Sequence, residues 1–243
     1  MTEKNNSQTV VIAGVGPGLG ASLAKTFAQH GCRIGLFARF RDYLADLEGE
    51  IKKRGESALG VAVDLTDADQ ISKGFAKVRE AFGSIDVLMY HAGSSAWKGL
   101  SALTREEFEH SWRVGAYGGF LCAKEAVPDM LNKGKGAIIF TGATSSVRGR
   151  AGALDFSSAK FAVRGLAESL ARELWPKGIH VAHVIIDGVI DTPDVRTPLS
   201  PAPTEPLLSP DAIAETYWNL VMQQRSAWTL ELDVRPSNED FFV

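Results

Sequence analysis

The sequence predicts an α/β fold: a single parallel sheet of seven strands with helices on both faces. Three observations predict it. Short apolar runs rich in β-branched residues recur along the 243 residues, separated by longer stretches whose apolar positions keep helical spacing. Those stretches have the length, about a dozen residues or more, that crossovers between parallel strands require. The runs are apolar throughout rather than alternating, as strands covered on both faces must be.

Thr9–Ala13 is the first strand. Leu19, Leu23, Ala24 and Phe27 mark one face of a helix running from Gly18 to His30, which Gly31 stops. Arg33–Ala38 is a second strand, and Arg41–Lys53 an amphipathic helix with Leu44, Leu47 and Ile51 on one face. Ala58–Val63 is a third strand. Thr66, paired with Asp69, is expected to open the next helix, whose apolar face is Ile71, Phe75, Val78 and Phe82. After a fourth strand, Val87–Tyr90, Thr104 and Glu107 form a capping box for a helical region reaching Asn132, interrupted around Gly115–Gly119. Ala137–Thr141 is the fifth strand, Phe156–Leu174 a helix and His180–Ile186 the sixth strand. Ser209 and Pro210 start a last helix, with Pro at the first position where its missing N–H costs nothing. Trp228–Leu232 is the seventh strand.

Composition removes several classes of function. Lys plus Arg is 26 and Asp plus Glu 29, a net charge of −3, with no basic run that would follow nucleic acid or a membrane surface. No apolar run approaches the roughly 18 residues needed to span a bilayer, and Met1–Gln8 lacks the apolar core of a secretory signal. Cys32 and Cys122 fit neither a disulfide framework nor a zinc site, and read as small core residues of a cytoplasmic protein. Trp97, Trp112 and Trp218 read as core or pocket-wall residues. His30, His110, His180 and His183 show no metal-ligand spacing, so no metal is expected. No Gly-x-Ser-x-Gly elbow supports acyl hydrolysis.

The strongest motif follows the first strand: Gly14-Val15-Gly16-Pro17-Gly18-Leu19-Gly20. Glycines let the backbone turn with positive φ and come close to a ligand. The helix that follows offers free N–H groups and a positive dipole end to a pyrophosphate. After the second strand a site for NAD would place an acid on the ribose hydroxyls. Here the chain reads Ala38-Arg39-Phe40-Arg41, and Arg39 can fork onto a 2′-phosphate and stack on adenine. NADP(H) is therefore the expected cofactor.

With Gly14, Gly18 and Gly20 go Asp64-Leu65, Ala92-Gly93, Lys160 within SSAKFAV, and IHVAHVIIDG followed by Thr192-Pro193. In this order and spacing the chain resembles the short-chain dehydrogenase/reductase family along nearly its whole length. The resemblance implies a doubly wound Rossmann fold, so that residues 1–243 form one nucleotide-binding domain, and a homodimer or homotetramer. It also implies roles. Asp64 would hold the adenine amino group, Ala92 and Gly93 flank the adenosine ribose, Lys160 bind the nicotinamide ribose, and Ile190 and Thr192 fix the carboxamide. The Pro-rich segment Thr192–Pro210 is expected to be a substrate lid.

The departures bear on chemistry. At the family's catalytic Asn, Ser and Tyr positions stand Gly115, Ala143 and Phe156, so only Lys160 remains of the usual set. The family's Asn-Asn-Ala-Gly is Tyr90-His91-Ala92-Gly93, and Asp187 replaces a proline. Carbonyl reduction develops charge on oxygen, which a hydroxyl holds and a phenol protonates. Without them a simple ketone is expected to react very slowly. Candidate substitutes are Thr144, Ser145, Ser146, His91, Tyr117, Asp155 and Asp187, with Ser145 the best hydroxyl and Asp187 the best carboxylate. Three functions stay open. One is an NADP(H)-dependent reductase of a small activated acceptor, such as an imine, iminium or enone. A second is a cofactor-holding scaffold for a non-redox step such as cyclisation or isomerisation. The third is an NADP(H)-binding regulator.

Overall fold

A computed structural model describes residues 7–193 and 206–238. Its centre is a seven-stranded parallel sheet of order β3-β2-β1-β4-β5-β6-β9, made of β1 (Thr9–Ala13), β2 (Arg33–Ala38), β3 (Ser57–Ala62), β4 (Val87–Tyr90), β5 (Gly136–Thr141), β6 (Ile179–Ile186) and β9 (Glu231–Val234). The order reverses between β1 and β4, which opens a crevice at the carboxyl ends of those strands. Successive residues of each strand feed opposite faces. Val10 and Ile12 pack with α1 (Leu19–Gln29), α2 (Arg41–Lys53) and α7 (Pro210–Val221). Val11 and Ala13 pack with α3 (Ala68–Phe82), α5 (Gly118–Lys133) and α6 (Leu154–Leu174). Cys32 and Cys122 are free and buried in these two layers. Among the described residues no helix is long and apolar enough to cross a membrane.

Local chemistry shifts some expected boundaries. Asp67, not Thr66, caps α3, accepting from the N–H groups of Asp69 and Gln70. The Thr66 hydroxyl is occupied by Asp64 Oδ1 at 2.8 Å, so the cap falls one residue later. The last strand begins at Glu231 rather than Trp228. Thr229 N–H donates to Gln223 Oε1 and the Trp228 ring stacks on His180, so that stretch is spent on the preceding segment and stays outside the sheet ladder. The Thr104–Glu107 capping box and the Ser209 cap are present as expected. Trp218 packs against the core, but Trp97 and Trp112 are exposed.

The interruption around Gly115 is a single π-type turn, Arg113–Tyr117, between α4 (Arg105–Trp112) and α5. Its cause is specific. The buried Tyr90 hydroxyl donates to the Val114 carbonyl and draws it out of the helical ladder. The turn also needs bare backbone, since a side-chain carbon at Gly115 would meet Ala159 Cβ at 2.8 Å. Two further short strands, β7 (Val189–Ile190) and β8 (Leu207–Leu208), pair in parallel. They frame residues 194–205, so most of the expected lid, Thr192–Pro210, lies outside the described residues.

Tyr90→Phe is expected to leave the Val114 carbonyl without this donor and to cost about 1–3 kcal/mol. A urea midpoint unchanged from the parent would contradict the role given to that hydroxyl.

Candidate active site

The crevice between β1 and β4 holds a cavity of about 320 Å³. Its floor is the turn that leaves β1. Gly14 has φ 103°, and a Cβ there would sit 2.5 Å from the Ala92 backbone nitrogen. Gly18 has φ 119° and caps α1, and a Cβ there would sit 2.5 Å from Thr192 Cγ2. Only glycine fits both positions, and the turn presents the open N-terminus of α1 to the cavity. Gly16, Leu19 and Gly20 line the same floor.

One end of the cavity is built by Arg39, Phe40, Asp64, Leu65 and His110. The Arg39 guanidinium lies 5.6 Å from the Phe40 ring, which is 69% exposed. Hydrogen bonds from the Thr66 N–H and hydroxyl hold the Asp64 carboxyl below its ordinary range against a partial burial penalty, helped by Arg39 and His110. Toward the other end, Ala92, Gly93, Ile190 and Thr192 continue the wall. His91 also lines it. Burial, with the nearby charge of Lys160, pushes the His91 pKa down to about 4, so the ring is neutral at physiological pH. Its Nδ1 is buried with no hydrogen-bond partner.

Lys160, on α6, reaches the carboxyl end of β5. It is 4% exposed, and its Nζ donates to the Thr141 carbonyl at 2.8 Å. Desolvation lowers its pKa to about 8. The ammonium sits 5.5 Å from the centre of the Phe156 ring. A Cβ on Gly93 would lie 3.5 Å from Phe156 and 3.6 Å from Lys160 Nζ, so this pair abuts the cavity wall.

The candidate polar substitutes are largely tied to the scaffold. Asp187 is buried and is paired with Thr144 Oγ1, Arg235 and, at 2.6 Å, Arg148. Its oxygens are spent on a cluster joining the β5–α6 turn to the ends of β6 and β9. Ser146 Oγ accepts from the Ala143 N–H at 3.1 Å and shapes that same turn. Tyr117 lies on the π-type turn, with Arg113 5.2 Å from its ring centre. Ser145 is buried on the short turn Thr144–Ser146 directly after β5.

Asp155 is fully buried. Burial would raise its pKa, but bonds from the Ala96 N–H, the Ser111 and Ser95 hydroxyls and its own helix end leave it below the ordinary range. It anchors the loop after β4. Within that loop Ser95 Oγ accepts from the Trp97 N–H at 3.1 Å. Trp97 itself has φ 53°, the one non-glycine with positive φ among the described residues. That conformation costs about 1–3 kcal/mol and persists only where neighbours impose it. Its ring is 60% exposed and lies 5.3 Å from Phe156, tilted by 40°. Reading the sequence placed Trp97 only among core or pocket residues, because no local pattern signals a left-handed tryptophan.

Among the described residues no three His, Cys, Asp or Glu side chains gather as a metal set.

Lys160 carries a prediction in pH. Its folded pKa, about 8, lies below the ordinary 10.5, so the unfolded chain holds the extra proton between those values and stability rises with pH across that window. Below pH 8 the burial penalty is felt in full. Lys160→Met is expected to abolish this rise, read from urea midpoints of both proteins at pH 8 and pH 10. Parallel curves would contradict it.

Comparison with known proteins agrees with this geometry. The short chain dehydrogenase family model matches residues 8–201. Sorbitol-6-phosphate 2-dehydrogenase of Escherichia coli is 31% identical over 222 residues, 90% of this chain and 86% of that one. A short-chain dehydrogenase from Rhodopseudomonas palustris superposes with a TM-score of 0.82 at 34% identity, covering 96% of this chain and 99% of its own. A metagenomic short-chain oxidoreductase solved in complex with NADP gives 0.83 at 26% identity, covering 96% and 98%. From its glycine turn to the lysine beneath β5, this chain belongs to the short-chain dehydrogenase family.

Proposed function

We propose that the protein is an NADP(H)-dependent oxidoreductase acting on a small organic acceptor that carries its own activation, an enone or an imine. The observation that carries this reading is the pairing of an intact nucleotide crevice with a reacting end that keeps Lys160 but has Phe156 beside it, and Ala143 on the turn after β5. The crevice suits a dinucleotide on two counts. Its glycine turn excludes a Cβ at Gly14 and Gly18 and leaves open space over Gly16, and the buried His91 Nδ1 in its wall has no hydrogen-bond partner among the described residues. The relative solved with NADP supports the choice of nucleotide.

When bound, the nicotinamide would supply or take hydride. The chain's own residues position it. The α1 N-terminus would take the pyrophosphate, Arg39 and Phe40 the adenine end and 2′-phosphate, and Asp64 the adenine edge. Ala92, Gly93, Ile190 and Thr192 would hold the riboses and carboxamide, and Lys160 the nicotinamide ribose. Ser145 is the remaining hydroxyl on the β5–α6 turn. Asp187 holds that turn through Thr144 and Arg148 and has no free oxygen for proton transfer. Phe156 offers no proton. Hydride transfer rests on positioning, and an acceptor already polarised needs less oxyanion help.

We read residues 1–243 as one nucleotide-binding domain working in the reducing cytoplasm, which suits two free buried thiols. Phe108, Trp112, Phe120 and Phe161 leave exposed rings on α4, α5 and α6, and pairing of those helices in a homodimer or homotetramer would cover them.

Arg39→Ala is expected to weaken NADP⁺ binding about 10- to 100-fold, the worth of a charged hydrogen bond, and to leave NAD⁺ nearly unchanged. Calorimetric titration of both nucleotides decides it; equal affinities in the parent would sink the cofactor assignment. The chemistry is read from NADPH consumption with ketones, enones and cyclic imines. Ala143→Ser with Phe156→Tyr is expected to raise ketone reduction by a few orders of magnitude at most, roughly the oxyanion and acid contributions. Gly115 is left alone because Ala159 excludes a side chain there. Turnover of plain ketones by the parent at roughly 1–10³ per second would refute the reading.

A further inference from the structure

The loop after β4 spends a buried carboxylate and an unfavourable backbone conformation to hold one exposed indole. Asp155 accepts from Ser95, Ala96 and Ser111, and Ser95 accepts from the Trp97 N–H. This fixes Trp97 at φ 53°, where its ring leans on Phe156 instead of entering the core. Asp155 and Phe156 are adjacent in the chain, so the group that sets the loop and the ring it faces move as one unit. A Cβ on Gly93, in the cavity wall, would meet Phe156 at 3.5 Å and Lys160 Nζ at 3.6 Å, so ring and ammonium both abut that wall, 5.5 Å apart. Cavity, Phe156 and Trp97 are therefore contiguous.

We infer that Trp97 and Phe156 form a two-ring wall that selects a neutral, planar, conjugated acceptor by stacking. This rests on the proposed hydride-transfer function and narrows it. Two tilted rings, one solvent-exposed, offer π-faces to a flat ligand, and aromatic contacts of this kind add to simple area burial. Charge sets the second half of the choice. The Phe156 ring already carries the Lys160 ammonium, so a cationic acceptor would sit close to a like charge. A neutral enone conjugated to a ring meets no such penalty, and the charge it develops on oxygen has the sign opposite to that of Lys160. Of the acceptors proposed above, the wall favours the enone over the iminium.

The test uses the full chain saturated with NADP⁺, with 2-naphthol as a flat probe and trans-2-decalol as its saturated counterpart, titrated by calorimetry. We expect 2-naphthol to bind about fivefold or more tighter than trans-2-decalol. Trp97→Ala should weaken 2-naphthol by roughly five- to tenfold, leave NADP⁺ affinity unchanged and erase the difference between probes. Trp97→Phe should retain most of it. Equal binding of the probes, no binding of 2-naphthol, indifference to Trp97→Ala, or a Phe variant no better than Ala would each overturn the wall. These outcomes are independent of turnover: absence of NADPH consumption with every acceptor would remove the hydride-transfer function, whereas failure of the probe pattern with NADPH consumption intact would remove only the stacking wall.

Discussion

The ammonium of Lys160 is the buried charge around which this end of the molecule is organised. An ammonium taken out of water must be given partners, and the ones provided here are the Thr141 carbonyl and the face of Phe156. Thr141 can serve because it closes β5 and because its hydroxyl meets Tyr217 of α7 at 2.8 Å. The position of the lysine is thereby fixed from both faces of the sheet. Desolvation lowers its pKa to about 8, which leaves it cationic at neutral pH but close to release.

Two buried carboxylates do the corresponding work in the loops. Asp155 ties the segment after β4 to the start of α6, and Asp187 ties the β5–α6 turn to the ends of β6 and β9. Both are acids that look catalytic from their place in the chain. Their oxygens are instead filled by N–H, hydroxyl and guanidinium donors, as buried polar groups require. Their effect on chemistry is indirect: one sets where Trp97 points, the other sets the turn that carries Ser145.

How much of this was legible follows from the range of the forces involved. The strands and their parallel arrangement were readable because continuous apolar runs report burial on both faces directly. The glycine turn was readable because the steric demand at Gly14 and Gly18 is a demand on residue type. The cap of α3 was misplaced by one residue because the Thr66 hydroxyl is taken by Asp64. The last strand reads early because Trp228 and Thr229 look β-forming, while Gln223 and His180 engage them outside the ladder. The break near Gly115 was visible as a break, but not its π-type form, which depends on a hydroxyl from Tyr90. The exposure and left-handed backbone of Trp97 are hidden for the same reason: its setting comes from Asp155, which lies 59 residues from the Ala96 N–H it holds.

The departures from the family pattern fit one another sterically. Gly115 lacks a side chain where Ala159 leaves no room for one, and Ala159 lies one residue from Lys160. Phe156, where the family resemblance implies a phenol, has Trp97 and Lys160 both close to its ring. Ala143 leaves its N–H to Ser146, so the turn keeps its shape without a hydroxyl at that position. A single lost group would leave an unfilled pocket or an unpaired partner, whereas here each replacement is packed or bonded by a neighbour. Phe156, with Trp97 against it, sets an apolar wall beside the Lys160 cation. On the function proposed for this chain, that wall offers no proton to an acceptor that must borrow one, and suits an acceptor that spreads developing charge over its own conjugated atoms.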